Sequence, residues 1–466
     1  MTSLSLWKRL RQSPKLGEDP IFYLLLRYSA PAILSYFISE LYNIVDTLFV
    51  GQGIGSMAVG ALGLCFPIQR LAIALTLLIA FSVQNRMAYA LGEGKKEQAS
   101  VISGCGFFLN VVILLPYSLL SFLGASTFMQ QFSADLLLSD WATHYIHIVC
   151  WGSLFLGLQT LCSRILLVYG KPMLSIYLAL IGALINALLD ALFILVLKWG
   201  VMGAAWATLS SQIFSCLISM VVLLYFQKRG VVKKMGLPRR FRSLVYECSR
   251  ILAEGLPSFV VESEDAIVLA ILNGLFYQAG GAMAVSILSI NTKIYMFLFV
   301  LILGIAYGMQ TLIAFNEGAR RLDRVQEILK KALVLSVLVT VLATAVFYIA
   351  AKGFAGFMVQ DPLVQALSER TLRFMIYAFP LLGFYYCAVM TKQAQGKALL
   401  ATVLTFLRQI LLLCPLTYIA YAVWRWDWQH MFLVYPVTDV LAALVGLGVL
   451  WLLFQDLRKR RAGMIR

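Results

Sequence analysis

Charge is what this sequence has least of. Only 13% of its 466 residues are charged, about half the share found in an ordinary soluble domain, and no stretch stays polar long enough to fold as a domain in water. A water-soluble protein is excluded. Cysteine is scattered: Cys65, Cys105, Cys150, Cys162, Cys216, Cys248, Cys387 and Cys414 form no CxxC pair or other metal-ligand spacing. They read as small buried hydrophobes. Histidine numbers three, and the one close pair, His144 and His147, has no third ligand nearby in the sequence, which argues for an outer-surface helix turn over a metal site. There is no nucleotide-binding motif and no nucleophile with its base, so neither direct ATP drive nor an enzyme is expected. Residues 1–20 carry Lys8, Arg9, Arg11, Lys15, Glu18 and Asp19 but no apolar core or small-residue cleavage site, and do not read as a signal peptide.

What is present is apolar sequence, 61% of the chain. Runs long enough to cross a hydrocarbon core, which takes about 20 helical residues, recur throughout with short polar joints between them. Barrel strands would instead show as roughly ten-residue alternating segments. The expected fold is an all-α polytopic membrane protein of about twelve transmembrane helices, running from 27–51 to 431–454.

The formal net charge of +16 has a topological reading. Basic residues recur in alternate joints: the N-terminus, Arg86/Lys95/Lys96, Lys171, the run from Lys228 to Arg242, Arg320/Arg321/Arg324, Lys392/Lys397 and Arg458 to Arg461, while the other joints hold little beyond Lys198, Lys352 and Arg425. By the positive-inside rule both termini are then cytoplasmic. Trp199, Trp424, Trp426 and Trp428 fall at the expected outer boundaries, as an aromatic belt requires. Nucleic acid is not an expected partner; the lipid bilayer is.

The longest basic joint lies near the midpoint, and the sequences on its two sides match in register. Pro31 in Ser29-Ala-Pro31 and Pro257 in Gly255-Leu-Pro257 are 226 positions apart, as are Gly170-Lys171 and Gly396-Lys397; Gly94 and Gly318 are 224 apart. Six helices per half make the halves parallel repeats, two lobes around a central cavity. The expected organisation is an N-terminal tail at 1–20, with Ser5–Leu10 either a surface amphipathic helix or a plain tail, an N-lobe at 21–227, a basic cytoplasmic linker at 228–250, a C-lobe at 251–455 and a basic tail at 456–466. A single chain holding both halves can function as a monomer.

The run Leu41-Tyr-Asn43-Ile-Val-Asp46-Thr-Leu-Phe-Val50-Gly51, with Gly92-Glu-Gly94, Asn186-Ala-Leu-Leu-Asp190, Gly203-Ala-Ala-Trp-Ala-Thr208, Gly255-Leu-Pro257 and Asn316-Glu-Gly318-Ala319, resembles motifs of the multidrug and toxic compound extrusion (MATE) transporters from first helix to last. The resemblance implies alternating access between two six-helix lobes, and export of organic, often cationic, compounds driven by inward proton or sodium flow, with no other cofactor. Two stretches depart from the family pattern. Leu78 to Asn85 stands where many relatives are glycine-rich, and the seventh helix holds Glu262, Glu264 and Asp265 together.

A carboxylate inside a spanning helix costs several kcal/mol unless paired, protonated or hydrated. Asp46 maps by resemblance to the acid whose protonation or ion binding drives rearrangement of the N-lobe; the alternative is a structural carboxylate bonded to neighbouring hydroxyls or amides. Asn186 and Asp190, four apart, share one helix face, and with Asp46 and Thr208 they resemble the family's cation-binding cluster. They could equally form a polar network that locks three helices together. Glu262 and Asp265, three apart, face one way and Glu264 another. Depth counting places the first two near Lys293, as a C-lobe coupling site, a charge site for substrate or a static ion pair. Arg70, Arg408 and Asp439 are further intramembrane charges expected to pair. Pro31 and Pro257 are hinge or fixed-bend candidates.

The leading expectation is therefore a secondary antiporter for amphipathic small molecules. The alternative is a flippase for lipid-linked saccharides or cell-wall precursors, to which Arg70 would be suited and against which the acids weigh.

Overall fold

The computed structural model describes residues 15–132, 136–359 and 361–465; the amphipathic reading of Ser5–Leu10 falls outside them. The apolar runs become helices because a backbone in hydrocarbon must satisfy its own hydrogen bonds. In chain order these are α1 (Ile21–Gly53), α2 (Ser56–Gly92), α3 (Lys96–Phe132), α4 (Leu136–Val149), α5 (Gly152–Val168), α6 (Pro172–Asp190), α7 (Gly200–Lys228), α8 (Phe241–Gly318), α9 (Leu322–Ile349), α10 (Ala351–Met358), α11 (Pro362–Met375), α12 (Leu382–Ala394), α13 (Ala398–Phe406), α14 (Cys414–Ala422) and α15 (Val434–Ile465). Ten helical stretches are long and apolar enough to span a membrane, and α4 with α5, bent by 45° at a short break, make an eleventh. α8 is two arms joined at Gly281, whose φ of 65° and ψ of −156° only glycine adopts readily. Its first arm carries Glu254, Glu262, Glu264 and Asp265, and that acid load keeps it out of the count of spans apolar enough to cross. Two helices loosen into π turns, at Ala191–Val196 after α6 and Leu407–Leu413 between α13 and α14. All eight cysteines are free and buried.

The repeat is written in the turns. Most residues with left-handed backbone recur at nearly one spacing: Gly55 and Gly281, Gly94 and Arg320, and Gly170 and Gly396 are each 226 apart, and Lys198 and Arg425 are 227 apart. The structural counterpart of Gly94 is thus Arg320, not Gly318, which brings the third sequence anchor to the spacing of the other two. Arg320 holds φ 55° despite its side chain, a conformation uncommon outside glycine.

The chain forms two compact units. The first contains Leu34–Glu262, and the second Pro20–Ile33 with Ser263–Arg466. In the first, α2 packs on α3, α4 and α5, and α7 on α4, α5 and α6. The core there is rich in small side chains, Ala58, Ala61, Ala125, Ala142, Ala204 and Ala205 among them, which let backbones approach where lipid gives no hydrophobic drive between helices. The start of α8 also belongs to this unit: Gly255 sits so close to the Leu78 carbonyl that a Cβ would collide with it. In the second unit the start of α1 lies against the second arm of α8, with Ile33 over Gly304, Ser29 over Gly308, and Ser29 Oγ donating to the Ile305 carbonyl at 3.5 Å. Pro31 and Pro257 lie inside these two stretches, each removing the amide that would bond the carbonyl four residues earlier. α12 packs on α15 and α9.

Candidate functional site

In the first unit, α1, α6 and α7 bring together Asp46, Asn186, Asp190 and Thr208, all buried. Asp190 is 0% exposed at the last turn of α6, where the helix passes into its π segment; such segments widen the helix and often sit at functional positions. The Asp46 and Asp190 carboxyls face each other. Both oxygens of Asp190, Oδ1 of Asp46, Oγ1 of Thr208 and Nδ2 of Asn186 have no hydrogen-bond partner, and neither carboxylate forms an ion pair with a base among the described residues. Buried polar atoms are nearly always paired, so the three carboxylate oxygens and the Thr208 hydroxyl are free to bind a further group. Carboxylate, amide and hydroxyl oxygens suit a small hard cation, and two like acids in apolar surroundings suit a shared proton.

Two tyrosines belong to the cluster and were not singled out in the sequence. The Tyr42 hydroxyl lies beside Asp46, Thr208 and Ser211. Tyr145, on α4, lies beside Asp46, Tyr42 and Thr208, and accepts from Gln69 Nε2 at 3.3 Å. A tyrosine costs little in a membrane helix and so announces nothing; the four-residue spacing of Tyr42 and Asp46 was the available signal.

The acids of α8 separate. Glu262 belongs to the first unit and accepts from Arg70 Nη1 at 3.4 Å, Arg70 also lying 4.8 Å from the Phe66 ring. Glu264 and Asp265 belong to the second unit, where Gln409 Nε2 donates to both, at 3.2 and 2.7 Å. The expected pairing with Lys293 is corrected: that lysine is exposed and has no carboxylate partner among the described residues. The partner of Glu262 comes from α2, and a lysine stem can carry its ammonium away from the interior.

Arg408 and Asp439 pair with each other. Arg408 Nε and Nη2 donate to Asp439 Oδ1 at 3.1 and 2.8 Å, and Nη2 donates to the Tyr295 hydroxyl at 2.5 Å. The guanidinium also stands 5.9 Å from the Tyr295 ring and 5.8 Å from that of Phe299. Arg408 and Gln409 are consecutive on the π segment, which aims one at Asp439 and the other at the α8 acids.

A further ionic cluster was missed. Arg86 of α2 pairs with Glu247 and, at 2.7 Å, with Glu254, which Arg250 also reaches at 3.0 Å. The signal was the seven-residue spacing of the two glutamates, two turns along one helix face.

The MatE family profile matches residues 31–192 and 257–419. Among curated proteins the chain is similar to the multidrug export protein MepA of Staphylococcus aureus (strain NCTC 8325 / PS 47), 22% identical over 449 residues, covering 93% of this chain and 90% of that protein. It is also similar to MepA of Staphylococcus haemolyticus (strain JCSC1435), at 21% over 443 residues with the same coverage. Among solved structures it resembles a MATE protein in complex with MaL6, with a TM-score of 0.88 at 22% identity over 95% of this chain and 98% of that one. It also resembles a MOP superfamily transporter from Pyrococcus furiosus Vc1 whose binding pocket is described as of reverse polarity, with a TM-score of 0.87 at 20% identity over 98% and 100%.

Proposed function

This chain belongs to the MatE family of multidrug efflux transporters, and from that premise we propose that it is a secondary active antiporter that exports amphipathic, cationic small molecules by alternating access, coupled to inward flow of protons or sodium ions. The observation that carries the reading is the buried pair Asp46 and Asp190, in which Oδ1 of Asp46 and both oxygens of Asp190 lack protein partners and neither acid has a base beside it. A carboxylate pair that is neutral when protonated or cation-bound and charged when empty changes the cost of burying the site by several kcal/mol, enough to bias two conformations against each other. Tyr42, Tyr145 and Thr208 would turn their hydroxyls to whichever charge state is present. The site lies in a bacterial inner membrane with both termini cytoplasmic, in a chain that works as a monomer, without nucleic acid or a resident cofactor.

The flippase alternative loses ground because Arg70, the residue that favoured a phosphate-bearing substrate, faces Glu262. The fold alone does not decide between cargoes, since a transporter of the same fold is described as carrying a pocket of reverse polarity. The acidic charge of the site supports the exporter reading.

The test is efflux of ethidium from cells expressing the wild type or Asp46→Asn, with proton and sodium gradients imposed separately. Gradient-driven efflux that the variant loses supports coupling through Asp46, and the effective gradient names the ion. No efflux from wild-type cells under either gradient overturns this substrate class. Efflux that persists in the variant moves coupling to Glu264 and Asp265.

A further inference from the structure

The joint between the repeats does not hang free of the first unit. After α7 the chain reverses at Gly230, φ 71°, with the Val231 and Val232 amides both bonding the Phe226 carbonyl. Val232 is buried. Lys233 pairs with Glu97, the Ser100 hydroxyl donates to the Lys234 carbonyl, and the Gly236 amide donates to the Ser100 carbonyl at 3.2 Å. Gly236 lies against Gly104 so closely that a Cβ on Gly104 would meet its carbonyl. Residues 231–236 are thus a strap fixed to the start of α3.

Holding the strap in place leaves one set of groups facing outward. Leu237 is 54% exposed, Phe241 78%, Val245 50% and Tyr246 57%; Phe241 and Val245, four apart, share a face of α8. Flanking or interspersed with them in the chain are Lys228, Lys234, Arg239, Arg240 and Arg242, all exposed and none with a carboxylate partner among the described residues. Exposed apolar side chains on helices inside the hydrocarbon need no explanation, but these precede the apolar part of α8 and alternate in the chain with cations. An apolar edge set among unpaired Lys and Arg at the end of a spanning helix is the pattern of a segment lying in the headgroup layer.

We propose that Leu237–Tyr246 with its flanking cations is a binding surface for anionic phospholipid of the cytoplasmic leaflet, the guanidinium groups taking the phosphodiester and Phe241 with Leu237 entering the acyl boundary. Arginine suits this ligand because its planar fork matches phosphate oxygens. The bonds through Ser100 and Gly236 then couple the lipid surface to α3, and the strap becomes a fixed ledge. The proposal uses the sidedness given above only to name the leaflet, and is independent of the substrate and coupling ion.

The test is native mass spectrometry of the full chain in detergent, titrated separately with phosphatidylglycerol, phosphatidylcholine and inorganic phosphate. The wild type should retain phosphatidylglycerol with a preference over phosphatidylcholine of about tenfold or more, given the contribution of each basic residue near an anionic surface. That preference should vanish in the combined variant Arg239→Gln, Arg240→Gln, Arg242→Gln. Equal retention of the two lipids overturns the proposal, as does displacement of phosphatidylglycerol by inorganic phosphate, which would make the site one for the free anion. Should the combined variant fail to fold, Phe241→Trp in proteoliposomes gives a second reading: its added fluorescence should be quenched more by brominated phosphatidylglycerol than by brominated phosphatidylcholine. Equal or no quenching rejects the contact.

Discussion

Two buried acid clusters, Asp46 with Asp190 in the first unit and Asp439 in the second, are treated in opposite ways. In the first, Asp46 and Asp190 face each other with oxygens unmet and no base beside them. In the second, Arg408 donates twice to Asp439 Oδ1 and once to the Tyr295 hydroxyl, and Gln409 bridges Glu264 and Asp265, leaving Asp439 Oδ2 and Glu264 Oε2 without a partner but Asp439 beside a fixed base. The repeat does not explain this, because 226 positions from Asp46 and Asp190 stand Leu272 and Leu416, while Arg408 and Asp439 answer to Gly182 and Ile213. A duplicated scaffold thus carries two unlike polar clusters. An acid already neutralised by a fixed guanidinium has little left to gain from a proton or cation; an acid with no base has much. The same fold therefore supports a site able to change charge in one unit and a polar lock in the other.

The largest effect should come from breaking the lock. Arg408→Leu leaves Asp439 buried and unpaired, which costs about 3–5 kcal/mol, read as a large fall in melting temperature in detergent. Arg408→Leu with Asp439→Leu should recover most of that loss, since a buried pair exchanged for apolar groups is often close to neutral. If the single variant melts like the wild type, the lock is not structural and the contrast between the units fails.

Next in size are Asp46→Asn and Asp190→Asn. Each should reduce gradient-driven efflux by roughly 5- to 150-fold, the span of a typical coupling free energy, without lowering the melting temperature, because each removes an uncompensated buried charge. The first unit should thus lose transport and keep its fold, while the second loses its fold with Arg408. A fall in stability of the same size in both units would mean that Asp46 and Asp190 are structural too.

These outcomes also measure how far the sequence could be read. The helices, the repeat and the acids of the first unit were legible because each has a local signature: apolar length, a constant spacing, or a carboxylate whose cost in a membrane helix demands a reason. Tyr42 and Tyr145 have no such cost and stayed hidden. Lys293 misled because position along a helix fixes depth but not which neighbouring helix supplies the partner, and Glu262 turned to Arg70 instead. Gly94 was matched to Gly318 by residue type, whereas the backbone equivalence is with Arg320. Packing against particular neighbours is a long-range property, and no local spacing encodes it.

A feature that the units do share sharpens the comparison further. Gly255 in the first and Gly308 in the second each press on a neighbouring backbone, at Leu78 and Ser29. Gly255→Ala and Gly308→Ala should therefore cost similar amounts, about 1–3 kcal/mol as for other overpacked sites. Gly274→Ala, where a Cβ meets nothing within 4 Å, should gain roughly 0.5–1 kcal/mol from helix propensity. Unequal costs at the first two positions would show that only one seam is tightly packed.

The smallest effect sets the scale for ion pairs. Glu327 and Lys331, one turn apart on α9 and 51% and 42% exposed, meet at 2.6 Å. That distance is shorter than the 2.8 Å of Arg408 to Asp439, so if distance governed pair energy, Lys331→Ala would cost more than Arg408→Leu. Exposure governs it instead: solvent screens the pair and hydrates either partner when the other is removed, leaving about 0.3–0.5 kcal/mol for such a helical pair. Lys331→Ala should accordingly shift the melting temperature by no more than the repeatability of the measurement, in the same detergent where Arg408→Leu lowers it strongly. Comparable shifts from the two variants would mean that the site of Arg408 is well hydrated, and that the second unit neutralises its acids with water as much as with arginine.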